Sequence, residues 1–230
     1  MAEKKKIQGF LHYRTDLGDG VRTGVVFSGC TEDCAEICSP YRFLEEHGFC
    51  EDTAEKKEYT AEELLSYLLE EKTLYYTKKL GVTFLGKEPL RDPFFCADIA
   101  AGLRDADIRL QIYTCGMCSM TAFEVMDGLV ELYVLRVFLP FFNEACPNTF
   151  HRSAQSRRII DHFETRATPY RILLTFGADT SLKEVDRFAD FISDFKALKS
   201  VMLDFSKASF HEDEQRRFRK IFLERRIPLY

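Results

Sequence analysis

Residues 82–96, with the sequence VTFLGKEPLRDPFFC, contain a complete strand–turn–helix unit. The apolar and β-branched residues 82–85 predict a short buried strand that ends at Gly86. Asp92 can cap a following helix, and Pro93 suits the first helical position, where a missing backbone N–H costs nothing. Such a unit is typical of the repeating element of an α/β protein.

The same alternation of strand and helix continues along the chain in both directions. The other predicted strands are Val25–Phe27, Ile108–Tyr113, Leu129–Val137, Arg171–Phe176 and Val201–Phe205. The other predicted helices begin near Thr60, Ser119, Arg152, Ser181 and Glu212, with capping-box patterns at Thr60–Glu63 and Ser181–Glu184. Six such units in succession predict a mostly parallel sheet with right-handed crossovers. They fit a partial barrel better than a closed eightfold one.

Composition narrows the class of protein. The chain has 230 residues, of which 46% are hydrophobic, so it is long and apolar enough to bury a full core and is not a disordered chain. A net charge of −5 argues against nucleic acid as the main partner. No apolar run is long enough to span a membrane, and the first six residues, MAEKKK, lack the apolar segment of a secretory signal. We therefore expect a cytoplasmic protein with reduced thiols.

Three cysteines follow the first predicted strand. Cys30, Cys34 and Cys38 lie within nine residues, at the strand end where α/β proteins carry their chemistry. Cysteine thiolates bind iron–sulfur clusters and zinc. The same spacing also places three small residues on one stripe of an α-helix, where they would be inert core. A reducing compartment favours metal or cluster ligation, and both alternatives stay open.

Two further strand ends carry weaker signals. Gly86 lets backbone approach a ligand closely, but a surface turn explains it equally well. Cys115 and Cys118 form a C-x-x-C pair after the third strand. A redox pair or metal ligands are one interpretation, and two buried small residues at a tight turn are the favoured one. The remaining cysteines, Cys50, Cys96 and Cys146, are expected to pack as small hydrophobic residues.

Several of these segments together resemble the radical S-adenosylmethionine enzymes that activate glycyl-radical enzymes, in particular those of the pyruvate formate-lyase-activating type. The matching segments are Gly18-x-Gly20-Val21-Arg22, Gly29-Cys30-x-x-x-Cys34, Val82–Leu90 (the family's strand ending in Gly-Gly-Glu-Pro) and Tyr113–Gly116. The resemblance runs along most of the chain and implies a partial (β/α)6 barrel in a single domain, residues 1–230, with a cysteine loop at about residues 30–59.

The resemblance also implies cofactors, site residues and partners. Cys30, Cys34 and Cys38 would hold a [4Fe–4S] cluster, while Gly86, Lys87, Glu88 and Ile37 would contact S-adenosylmethionine. The implied reaction makes a 5′-deoxyadenosyl radical that abstracts a hydrogen atom. The implied partners are a glycyl-radical enzyme and a flavodoxin- or ferredoxin-type reductant, with no membrane or nucleic acid involved. The sequence does not name the substrate.

The chain departs from the family pattern at five points. Ile37 stands where the family usually has an aromatic residue just before the third cysteine. The family spacing is Cys-x-x-x-Cys-x-x-Cys, whereas Cys38 stands one residue later here. Lys87 replaces the second glycine of Gly-Gly-Glu, and Tyr113 and Tyr133 replace acidic residues. These departures motivate a second hypothesis, a binding or regulatory protein that keeps the barrel without turnover. A zinc-stabilised binding module is a third.

Overall fold

The computed structural model describes residues 3–28, 57–70, 81–141, 147–206 and 208–230. The chain forms two compact units, Met1–Tyr133 and Val134–Tyr230. The expectation of a single domain over the whole chain stays a prediction. In the described residues, no helix is both long and apolar enough to cross a membrane.

The first unit combines parallel strands with an antiparallel edge. Its elements are β1 (Lys5–Arg14), β2 (Arg22–Phe27), β3 (Lys57–Tyr59), α1 (Ala61–Leu69), β4 (Gly81–Gly86), α2 (Pro93–Asp105), β5 (Arg109–Thr114) and α3 (Met120–Val125). The strand order is β3-β1-β2-β4-β5. β2, β4 and β5 run parallel, whereas β1 is antiparallel to β2 and to β3. β1 and β3 are additions to the predicted strands.

The second unit continues the strand–helix alternation. Its elements are β6 (Leu132–Leu139, which contains the boundary between the units), α4 (Pro147–Arg166), β7 (Tyr170–Phe176), α5 (Leu182–Ile192), β8 (Leu198–Asp204) and α6 (Glu212–Glu224). The order is β6-β7-β8, and β7 and β8 are parallel. All six predicted strands are present, so the structure confirms the α/β class with mostly parallel strands.

Side-chain caps fix where the helices begin. Thr60 and Glu63 form both bonds of the predicted capping box of α1. The Asp92 carboxylate accepts from the Phe95 N–H at 3.2 Å and starts α2, as predicted. Ser181 accepts from the Glu184 N–H at 3.2 Å, but Glu184 Oε2 is buried without a hydrogen-bond partner. The second predicted capping box is therefore only half formed.

The Thr60 cap supports a first prediction. Thr60→Ala removes the acceptor for the Glu63 N–H and should lower the free energy of unfolding by about 1 kcal/mol. Thr60→Ser keeps the hydroxyl and is the matched control. Urea denaturation of the three proteins measures the difference. A cost for the alanine variant no larger than for the serine variant would show that the cap contributes nothing to stability.

The Arg22 side chain is buried at the N-terminal ends of the parallel strands in the first unit. Its side chain is 1% exposed and donates to Thr83 Oγ1 at 2.8 Å and to the Val82 carbonyl at 2.9 Å. A Cβ at Gly81 would lie 2.7 Å from the Arg22 guanidinium, so glycine makes room for it. Burial lowers the pKa of Arg22 to about 10. The candidate site lies at the opposite, C-terminal ends of these strands.

Candidate functional site

The C-terminal ends of β2 and β4 lie side by side. Phe27 is paired with Gly86 in the parallel register, and the Lys87 N–H donates to the Phe27 carbonyl at 3.3 Å. The segment that follows β2 in the sequence contains Cys30. β2 therefore ends, at Phe27, next to the turn Gly86–Glu88, and the sequence that contains Cys30 follows it.

Gly86 is required at this turn. Its φ is +111°, a backbone conformation that residues with a side chain rarely adopt. A Cβ at Gly86 would also lie 2.3 Å from the Phe27 carbonyl oxygen. Lys87 does not have a positive φ, so its position does not require glycine. The replacement of the second family glycine by lysine therefore introduces no backbone strain here.

Glu88 joins two strand ends through a buried carboxylate. The residue is 3% exposed and accepts from the Leu90 N–H at 3.1 Å, within its own turn. From the turn after β5 it accepts the Thr114 hydroxyl at 2.9 Å and the Cys115 N–H at 3.1 Å. Burial raises the pKa of Glu88, and the hydrogen bonds from Cys115 and Thr114 oppose that shift. The carboxylate thus fixes the Gly86–Glu88 turn against β5.

The C-x-x-C pair belongs to the same buried region. The Cys115 thiol donates to Glu88 Oε2 at 3.2 Å. Cys96, Cys115 and Cys118 form no disulfide among the described residues, and burial raises the pKa of Cys118 and of Cys96. Protonated, buried thiols are poor nucleophiles and poor metal ligands. These observations favour the structural interpretation of Cys115 and Cys118 over a redox pair.

The predicted ligand trio is not part of the described chain. Cys30, Cys34, Cys38 and Ile37 lie outside the described residues, so their roles stay predictions. In the residues that are described, no group of three histidine, cysteine or acidic side chains is arranged to hold a metal ion. Cys96 donates to the Pro89 carbonyl at 3.1 Å in the core, consistent with its predicted packing role. Cys50 and Cys146 lie outside the described residues.

The two tyrosines that replace acidic family residues are core residues. Tyr113 is 3% exposed and Tyr133 is 2% exposed. The ring of Tyr133 packs edge-on against Phe123 with 5.7 Å between centroids, and burial raises its pKa. Neither position therefore offers a charged oxygen at the strand ends.

The second unit contains a buried polar network that was not predicted from the sequence. Arg136 is 3% exposed and donates from Nε to Thr175 Oγ1 at 3.1 Å. The Thr175 hydroxyl donates in turn to Asp204 Oδ2 at 3.1 Å, and a guanidinium nitrogen of Arg136 lies 3.5 Å from the same oxygen. The network links β6, β7 and β8. Its signal in the sequence is an arginine in the otherwise apolar stretch LYVLRVFL, since a buried charge needs a partner.

Comparison with known proteins identifies relatives over part of the chain. No family model matches. A stretch of 99 residues, 43% of this chain, is 37% identical to the pyruvate formate-lyase-activating enzyme of Clostridium pasteurianum. The match covers 38% of that enzyme, so its activity and partners are not established for this chain by the match alone.

Solved structures share the fold at low sequence identity. SuiB of Streptococcus suis, bound to S-adenosylmethionine, superposes with a TM-score of 0.58 and 17% identity over 77% of this chain and 44% of SuiB. The same protein bound to its precursor peptide SuiA gives a TM-score of 0.58 and 18% identity, over 79% and 44% of the two chains. A domain of the pyruvate formate-lyase-activating enzyme of Bacteroides vulgatus gives 0.51 and 20%, over 65% and 97%. Part of the chain is thus similar in sequence to a pyruvate formate-lyase-activating enzyme, and the chain shares its fold with SuiB and with the Bacteroides vulgatus domain.

Proposed function

We propose that the chain is a radical S-adenosylmethionine enzyme in which Cys30, Cys34 and Cys38 hold a [4Fe–4S] cluster. The observation that carries this proposal is the pairing of Phe27 with Gly86, which starts the cysteine segment beside the Gly86–Glu88 turn. A proposed ligand set that follows β2 in the sequence, and a glycine turn beside the end of β2, would suit a cofactor and a small cosubstrate that must touch each other.

The residues present are chemically suited to the cluster. Cys30, Cys34 and Cys38 would hold the cluster through three thiolates, and an iron without a thiolate from this trio would be available to the cosubstrate. When bound, the cluster supplies the electron that cleaves S-adenosylmethionine to methionine and a 5′-deoxyadenosyl radical. Gly86 keeps the end of β2 close to this turn, because a methyl group there would collide with the Phe27 backbone.

The remaining site residues bind and orient the cosubstrate. The backbone of Gly86 and Lys87 offers polar groups at the sheet edge for the amino group. Glu88 holds that backbone in place through Thr114 and Cys115 rather than by contact with the ligand, because its carboxylate already accepts hydrogen bonds from within the protein. We assign Ile37 to the side of the adenine, where it would exclude water.

The relatives suggest the substrate class. Pyruvate formate-lyase-activating enzyme, by its name, activates another enzyme, whereas SuiB has been seen with a precursor peptide. We propose hydrogen abstraction from a glycine of a glycyl-radical enzyme or from a related polypeptide, with a flavodoxin- or ferredoxin-type protein as electron donor. The reduced cytoplasm would keep the thiols available for the cluster.

Anaerobic reconstitution tests the proposal. The wild-type chain should bind about four irons and form 5′-deoxyadenosine from S-adenosylmethionine in the presence of dithionite. Cys34→Ala should lose both properties, whereas Cys146→Ala, which changes a cysteine outside the trio, should retain both. Reconstituted wild-type protein without iron, or with zinc in its place, would contradict the proposed function.

A second candidate function is a binding or regulatory protein that keeps the cluster but has no turnover. The Cys-x-x-x-Cys-x-x-x-Cys spacing and the burial of Tyr113 and Tyr133 favour it. Calorimetry separates the candidates. The enzyme is expected to bind S-adenosylmethionine in the clustered state and to release 5′-deoxyadenosine. A clustered protein that does neither fits the second candidate.

A further inference from the structure

A groove of about 530 Å³ lies in the first unit where α1 and α2 begin. Its apolar lining consists of Ala61 and Leu65 from α1 and Phe95 from α2. Phe94 stands in the same groove with 67% of its surface exposed. A large, solvent-exposed aromatic residue beside an apolar floor is the anatomy of a protein-binding site, in which such residues supply most of the binding energy.

The rim of the groove is acidic. Four carboxylates line it (Glu3, Glu62, Asp92 and Asp98) against one lysine, Lys5. Lys5 is already engaged, because it forms ion pairs with Glu3 and with Asp92. Glu62 and Asp98 have no ion pair or hydrogen bond among the described residues. The groove therefore presents two carboxylates, Glu62 and Asp98, that form no ion pair with a described residue, around an apolar centre.

Helix starts ordinarily attract anions, and here each start already has a side-chain acceptor of its own. The Glu63 N–H donates to Thr60 Oγ1, and the Phe95 N–H donates to Asp92 Oδ1. The helix dipole accounts for Glu62 in the first turn of α1, but it does not account for Asp98, which lies beyond the first turn of α2. Nor does it account for the exposure of Phe94.

We propose that this groove docks a basic segment of a partner protein that also carries an apolar side chain. Lysine or arginine of the partner would pair with Glu62 and Asp98, while the apolar side chain would pack on Phe94 and the floor. Charge complementarity of this kind selects the partner and speeds its association. The inference requires neither a cluster nor turnover, so it is independent of the proposed function.

Nuclear magnetic resonance of the full ¹⁵N-labelled chain tests the docking surface. The probe is the peptide acetyl-Lys-Phe-Lys-Leu-Lys-amide, and its matched control replaces every lysine by glutamate. Titration with the basic peptide should shift the amide signals of residues 60–65 and 92–98, and added salt should weaken the binding. The acidic peptide should leave those signals unchanged.

Charge reversal locates the binding. The double variant Glu62→Lys, Asp98→Lys should weaken binding of the basic peptide at least about fivefold. Asp105→Lys, an exposed position at the other end of α2, should bind as the wild type does. Equal affinity in the double variant, shifts confined to other surfaces, or no binding at millimolar peptide would overturn the proposal. Thermal denaturation verifies that each variant is folded.

Discussion

Gly86→Ala is expected to lower the free energy of unfolding by about 3 kcal/mol. Two costs add at this position. The φ of +111° is strained for any residue with a side chain, and the new methyl group would lie 2.3 Å from the Phe27 carbonyl oxygen. Relief of that contact must push β4 away from β2 at the edge where the cysteine segment begins. The substitution should therefore also abolish formation of 5′-deoxyadenosine.

Gly128→Ala is the matched control for this prediction. Gly128 also has a positive φ, +70°, but a Cβ there would meet no atom within 4 Å. Alanine at this position should cost only the backbone strain, about 1 kcal/mol. Urea denaturation of both variants isolates the contribution of the close strand contact. Equal losses in the two variants would mean that the Phe27–Gly86 approach is not tightly packed.

Glu88→Ala is expected to lower the free energy of unfolding by about 3 kcal/mol. The substitution leaves the Leu90 and Cys115 N–H groups and the Thr114 hydroxyl without their acceptor in the core. An unsatisfied buried donor carries its full desolvation penalty, which exceeds the net value of the hydrogen bond that was lost. Urea denaturation measures the cost. A loss below about 1 kcal/mol would show that water or other groups replace the carboxylate.

The pH dependence of the free energy of unfolding tests whether the Glu88 carboxyl binds its proton more tightly in the folded chain than in the unfolded chain. Burial raises the pKa of Glu88 above its usual value of 4.5, so the folded state binds the proton more tightly than the unfolded state does. The stability that this proton contributes is fully present below pH 4.5 and is lost as the pH rises through the raised pKa. Glu88→Gln cannot titrate. The free energy of unfolding of the wild type, relative to that of Glu88→Gln, should therefore fall with rising pH. A difference that does not change with pH would contradict a raised pKa of Glu88.

The parallel strands and helix starts could be predicted from the sequence because their signals are local. An apolar run followed by a capping residue marks a strand end and a helix start, as at Leu85 and Asp92. β1 escaped prediction because its register shifts between Ile7 and Gly9 and again between Leu11 and Arg14, which breaks the alternation of apolar and polar residues. β3 is only three residues long.

The Gly86–Glu88 turn of the candidate site could be predicted in part, again because its signal in the sequence is local. Gly86 stands at a strand end, which makes it visible as a candidate in the sequence, and the family resemblance adds Glu88. The partners of Glu88 could not be identified in this way, because Thr114 ends β5, Cys115 follows it, and both meet the carboxylate only in the folded chain. Arg136, Thr175 and Asp204 are likewise separated by tens of residues, and only the adjacency of β6, β7 and β8 in the sheet brings them together.

Electron paramagnetic resonance of the anaerobically reconstituted, dithionite-reduced chain tests most directly whether the chain holds a [4Fe–4S] cluster that binds S-adenosylmethionine. S-adenosylmethionine labelled with ¹⁵N in its amino group is the added ligand. We expect the spectrum of a reduced [4Fe–4S] cluster whose shape changes on addition, with a hyperfine coupling to the labelled nitrogen. A reduced protein that shows no cluster signal, or whose signal is identical with and without the ligand, would contradict the assignment of an open iron beside the Gly86–Glu88 turn.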